Sequence, residues 1–72
     1  MENVICTIYP IEGTVRARDM TGRLVAAIYE EYGSPPRLTV FSDDASISIG
    51  DVEIMMDNYN HMKLLQQNEH NP

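Results

Sequence analysis

The stretch SISIGDVEIM, residues 46–55, constrains the fold more than any other, because it supports two incompatible structures. Ser48-x-x-Asp51 has the form of a helix-opening capping box. Gly50-Asp51 has the form of a two-residue hairpin turn. Register favours the hairpin. A turn at Gly50-Asp51 pairs Ile49 with Val52, Ser48 with Glu53, Ile47 with Ile54 and Ala45 with Met56. One face is then Ala45, Ile47, Ile49, Val52, Ile54 and Met56, and the other is Ser46, Ser48, Glu53 and Met55. The helix alternative places Ile49, Val52, Met56, Tyr59, Met62 and Leu65 on a rough stripe capped by Ser48, but loses Ile47 and Ile54 from it. The sequence reading is therefore strand through Met56, with strand and helix both open for residues 58–67.

The flanking segments extend this pattern. Leu38 and Val40 continue the apolar face across a turn at Asp43-Asp44, and the result is an antiparallel meander over about 37–57. NVICTIYP, residues 3–10, alternates and is rich in β-branched residues, which predicts a strand. Thr14 to Ala17 supplies a short return strand after the Glu12-Gly13 turn. Asp19 reads as the cap of a helix over about 20–32, where Met20, Leu24, Val25, Ile28, Tyr29 and Tyr32 recur at three- and four-residue steps. Gly33 and Ser34-Pro35-Pro36 stop that helix. The expectation is a small α+β domain of two layers, residues 1–72, with one helix covering one sheet face and a frayed tail at 66–72.

A hairpin, a helix, Pro35-Pro36 and then a strand at Arg37-Leu38 is similar to the element order of a ubiquitin-like β-grasp. That resemblance implies a fold alternative only. The tail Asn71-Pro72 lacks the terminal Gly-Gly that conjugation and sulfur-carrier chemistry use in that family.

Few chemistries fit the residue inventory. Cys6 is the only cysteine, so no disulfide forms within the chain, and one Cys with His61 and His70 falls short of a structural zinc set. No catalytic, cofactor or metal residues are assigned. Cys6 alternates with Val4 and Ile8, which makes it a small core residue rather than the nucleophile of a Cys6–His61 pair. No phosphate loop or serine elbow occurs, so no enzyme is expected. No apolar run approaches the roughly 20 residues of a membrane span and no signal sequence opens the chain, which predicts a cytoplasmic protein with no membrane partner, in the host cell if viral.

Charge is the most uneven feature. The chain carries a net −6, and all of it falls in residues 30–57, where Glu30, Glu31, Asp43, Asp44, Asp51, Glu53 and Asp57 face Arg37 alone. These seven carboxylates are the expected contacts for the basic surface of a protein partner. The leading expectation is an acidic interaction module, an inhibitor or modulator of a nucleic-acid-handling protein that mimics phosphates. Compact acidic proteins of this kind are typical of phages and other mobile elements, anti-restriction and anti-CRISPR proteins among them. A second expectation is self-assembly, as a homodimer or larger oligomer, through Phe41, Met55, Tyr29 and Tyr32, because a core this small gains from a partner copy. The third, weak direct nucleic-acid binding through Arg16, Arg18, Arg23 and Arg37, is disfavoured by the net charge and by the absence of an aromatic platform. Arg16 and Arg18 do share a face wherever that segment is extended.

Overall fold

The computed structural model describes residues 4–41 and 47–70. Strands β1 (Ile5–Tyr9), β2 (Thr14–Arg18), β3 (Leu24–Tyr29) and β4 (Arg37–Val40) precede a single helix, α1 (Ile49–His70). The strands form an antiparallel meander in the order β1-β2-β3-β4. The helix lies across one face, so the domain is a two-layer α+β fold of one helix on an antiparallel sheet. The elements that fill these roles differ from those the sequence suggested.

Residues 24–29 are a strand, not the middle of a helix over 20–32. LVAAIY is apolar at every position, so it satisfies a helical stripe and a strand equally, and its place at the centre of the sheet decides for the strand. Asp19 accordingly caps no helix. Its Oδ1 accepts hydrogen bonds from Thr21 N (2.9 Å), Thr21 Oγ1 (2.6 Å) and Arg23 N (3.1 Å), which ties the β2–β3 turn. Gly22 completes that turn with φ of 89°. The thiol-bearing strand and its return strand stand as expected, with Cys6 opposite Ala17 and Ile8 opposite Val15.

The question posed by residues 46–55 resolves in favour of the helix. Ser48 Oγ accepts from Asp51 N (3.0 Å) and Ser48 O accepts from Val52 N (3.0 Å), so Ser48 is the N-cap. Asp51 in the first turn suits the positive end of the helix dipole. There is no turn at Gly50-Asp51 and no strand over 49–57. The meander is built from the first 40 residues instead. Alternation failed here because Ile49, an inner residue of the proposed hairpin, stands 79% exposed on the first turn of α1, while Met55, expected outside, is fully buried. The Asp43-Asp44 turn lies outside the described residues. The helix runs to His70, with Gln66 Nε2 donating to Pro10 O (2.8 Å), and residues 71–72 of the expected frayed tail lie outside the described residues. Because all four strands come first, the β-grasp order is absent.

The core sits between α1 and the β1–β3 part of the sheet. Met55 and Met62 face Val4, Val15, Ala17, Ala26 and Ile28, with Cys6, Ile8, Ile47 and Tyr59 packed around them. Cys6, Ala17 and Ala26 stand in one cross-strand row. These small side chains let the helix approach closely, and the flexible methionines fill the remaining space. The helix packs on β1, β2 and part of β3 and leaves β4 uncovered; all four residues of β4 are exposed. No helix among the described residues is long and apolar enough to cross a membrane.

Candidate nucleic-acid interface

Period-two alternation divides the sheet into two faces. Cys6, Ile8, Val15, Ala17, Ala26 and Ile28 point toward α1. Thr7, Tyr9, Thr14, Arg16, Ala27 and Tyr29 point the other way, onto a face that α1 does not cover, although Thr14 and Ala27 are themselves buried there. Register arranges that face in rows. Tyr9, Thr14, Tyr29 and Arg37 form one row, and Thr7, Arg16, Ala27 and Thr39 form the next. Ile5, Arg18 and Leu24 begin a third beyond a β-bulge at Ala17/Arg18, and Phe41 lies one residue out of that row, its N–H donating to Val25 O (2.9 Å). Arginines from β2 and β4 thus share a surface with rings from β1, β3 and the end of β4. None of the strand residues is acidic.

The arginines are held loosely. The Arg16 guanidinium lies 4.6 Å over the Tyr9 ring centroid, and its Nη2 is 3.7 Å from Glu12 Oε2 in a largely exposed ion pair. Both contacts are weak. Arg18 Nη1 donates to Gly22 O (3.2 Å). Arg37 lines a shallow depression with Tyr29, Thr39, Glu31, Ser34 and Pro35. Tyr29 meets Phe41 edge-on, with centroids 6.4 Å apart. Arg23, in the β2–β3 turn, is the one arginine of the expected set outside the strands.

The seven carboxylates do not form one patch among the described residues. Asp51 is 4% exposed, under the first turn of α1. Glu30 is engaged: Tyr59 OH donates to its Oε2 (2.9 Å) and Lys63 Nζ to its Oε1 (2.8 Å), pinning α1 to the end of β3. The Lys63 hydrogen bond, above all, holds the Glu30 carboxyl below its ordinary range and raises the Lys63 ammonium. Burial and the Glu30 bond raise the Tyr59 phenol. Glu31 in the β3–β4 connection and Glu53 and Asp57 on α1 are exposed, and Asp43 and Asp44 lie outside the described residues.

The interface residues expected for self-assembly also separate. Tyr29 and Phe41 are together on the open face, Tyr32 projects fully from the β3–β4 connection, and Met55 is in the core. A different apolar surface appears beside α1, a groove lined by Ile28, Pro36, Leu38, Val52, Met56 and Tyr59.

Cys6 faces the helix and is half-buried. Burial first, and the Asp51 charge second, push its thiol above the ordinary value, the reverse of what an activated nucleophile needs. His61 is exposed on α1. No three His, Cys, Asp or Glu side chains among the described residues come together as metal ligands. In comparisons with known proteins, no family model, no curated protein and no solved structure matches this chain.

Sequence reasoning found the Arg16/Arg18 pair, because their spacing across Ala17 needs only an extended backbone. It missed Tyr9, Tyr29 and Phe41 as their companions. The helical periodicity of 20–32 hides Tyr29, which in β3 shares a cross-strand row with Tyr9.

Proposed function

We propose that this protein is a nucleic-acid-binding module that works through the open face of its sheet, without catalysis. The supporting observation is the coincidence on one uncovered face of Arg16, Arg18 and Arg37 with Tyr9, Tyr29 and Phe41, among strands that carry no acidic residue. Arginine contributes phosphate pairing, and rings contribute a surface for bases. The net −6 keeps such binding weak; among the described residues the strands carry no carboxylate, and those bordering this face are Glu12, paired with Arg16, and Glu31, beside Arg37. The acidic-modulator reading now rests on Glu31, Glu53 and Asp57 among the described residues, so it is the less supported proposal.

The test is fluorescence anisotropy with labelled oligonucleotides across a salt series. Three phosphate contacts give a slope of log K against log salt of about −2 for single strands and about −3 for duplex. Arg16→Ala with Arg37→Ala should reduce the slope and abolish binding at moderate salt. Absence of binding at low salt, or full binding by the double variant, would refute the proposal.

The groove beside α1 favours a second reading, self-association. Four strands span about 14 Å and helices pack about 8–10 Å apart, so a sheet face has room for two helices. The described residues lay down one. The occupant we propose for the bare half is α1 of a second copy, whose Val52 and Met56 would meet Leu38 across a two-fold axis. Sedimentation equilibrium checks this: mass should rise with concentration and revert to monomer in Leu38→Lys. A monomer at all concentrations would exclude it.

A further inference from the structure

We infer that the ligand of the open sheet face is single-stranded nucleic acid, with bases stacked on Tyr9 and Tyr29 and phosphates held by Arg16 and Arg37. This rests on the nucleic-acid reading above and narrows it to one class of ligand.

Shape is the first argument. Duplex is read by a helix or ribbon that enters a groove. The helix of this protein lies on the opposite side of the sheet, and the candidate face consists of strand residues in cross-strand rows. Such a face can follow an unpaired strand whose bases are free to turn toward it, and it has no element to insert into a groove.

Spacing is the second argument. Tyr9 and Tyr29 occupy the same row on strands two apart, so their backbones are about 10 Å from each other. Each ring has a cation close by. Arg16 stands over Tyr9 at 4.6 Å, and Arg37 flanks Tyr29 in the same row and lines the same depression. Ring and cation alternate across the sheet, which is the order in which an extended strand presents bases and phosphates.

The third argument is the looseness of the present contacts. Arg16 is kept at Tyr9 by a cation–π contact and a 3.7 Å exposed ion pair with Glu12. A phosphate competes well with both. When the guanidinium leaves for a phosphate, it bares the ring for a base. Thr7 and Thr39, in the row beside these tyrosines, add hydroxyls within reach of a sugar-phosphate backbone.

The experiment compares a labelled oligothymidine with a duplex of equal length, titrated with the full chain at low salt. The protein contains four Tyr and no Trp, so quenching of its intrinsic fluorescence reports stacking on tyrosine directly. The expected result is tighter binding and stronger quenching with the single strand. Tyr9→Leu and Tyr29→Leu should each weaken single-strand binding by roughly 5- to 150-fold, the measured range for loss of one base–ring stack, with the salt slope unchanged. Tyr9→Phe and Tyr29→Phe keep the ring and should bind as the parent does, which separates stacking from folding. Equal affinity for the duplex, or undiminished single-strand binding by both Leu variants, would overturn this inference and leave the nucleic-acid reading intact. No binding of either probe would overturn both.

Discussion

Met55→Ala tests the docking of α1 most directly. Met55 has no exposed surface and sits between the helix and the sheet. Truncation to Ala costs about 2–5 kcal/mol at buried sites, depending on how far the surroundings collapse into the space. Here the core beside it includes Cys6, Ala17 and Ala26, which have no long side chain to swing into the void, so collapse would have to come from Met62 of the same cluster. The upper part of the range is expected, about 3–5 kcal/mol. A chain of this length has a total stability of about 4–11 kcal/mol. The variant should therefore lose about a quarter or more of its stability. The assay is urea denaturation followed by far-UV circular dichroism, with Leu64→Ala as the control. Leu64 is on the same helix but 58% exposed, and its truncation should cost under about 1 kcal/mol. The midpoint should drop by about 2 M or more for Met55→Ala, with an unchanged slope. A loss below about 1 kcal/mol, or a larger effect at Leu64, would mean that α1 presents a different face to the sheet.

Ser48→Ala removes the N-cap and should cost about 1 kcal/mol, with Ser48→Asp retaining the parent's thermal midpoint; equal midpoints for all three would dismiss the cap. Glu30 gives a pH signature. Its carboxyl is held below the ordinary 4.5, so its contribution is present above that value and disappears as pH falls through the folded value. Lys63 is raised above the ordinary 10.5, so its share is present below that value and is lost as pH rises through the folded one. Glu30→Gln should lower the melting temperature at pH 7 and flatten its decline toward pH 3, and identical pH profiles for parent and variant would refute the role of this contact.

Some of the fold and site is legible in local chemistry. Asn3 to Tyr9 shows β-branched alternation, Gly13 and Glu12 mark a turn, and Pro35-Pro36 ends whatever precedes it. Gly13 meets a backbone requirement as well: its φ is 69°, and a Cβ there would meet Glu30 O at 3.2 Å. Two segments differ between sequence and structure for one reason. LVAAIY is apolar throughout, and SISIGDVEIM is apolar at positions that fit either period. In both, local periodicity was ambiguous, and packing against the rest of the chain chose between the two. The face that carries the candidate site inherited that ambiguity. Arg37 and Tyr29 cannot be placed beside Arg16 and Tyr9 until β3 is known to be a strand between β2 and β4.

The sequence by itself determined that this chain folds as a small α+β domain without disulfide support, that Arg16 and Arg18 share a face, and that Ser48 can open a helix. Only the tertiary structure decided which segment is the helix, and therefore which way every charge and ring points. The physical reason is burial. A strand and a helix of the same apolar residues differ little as isolated segments. The difference arises when Met55 and Met62 close over Val15, Ala17, Ala26 and Ile28, contacts that join residues far apart in the chain and leave the other face of the sheet, with its arginines and tyrosines, open.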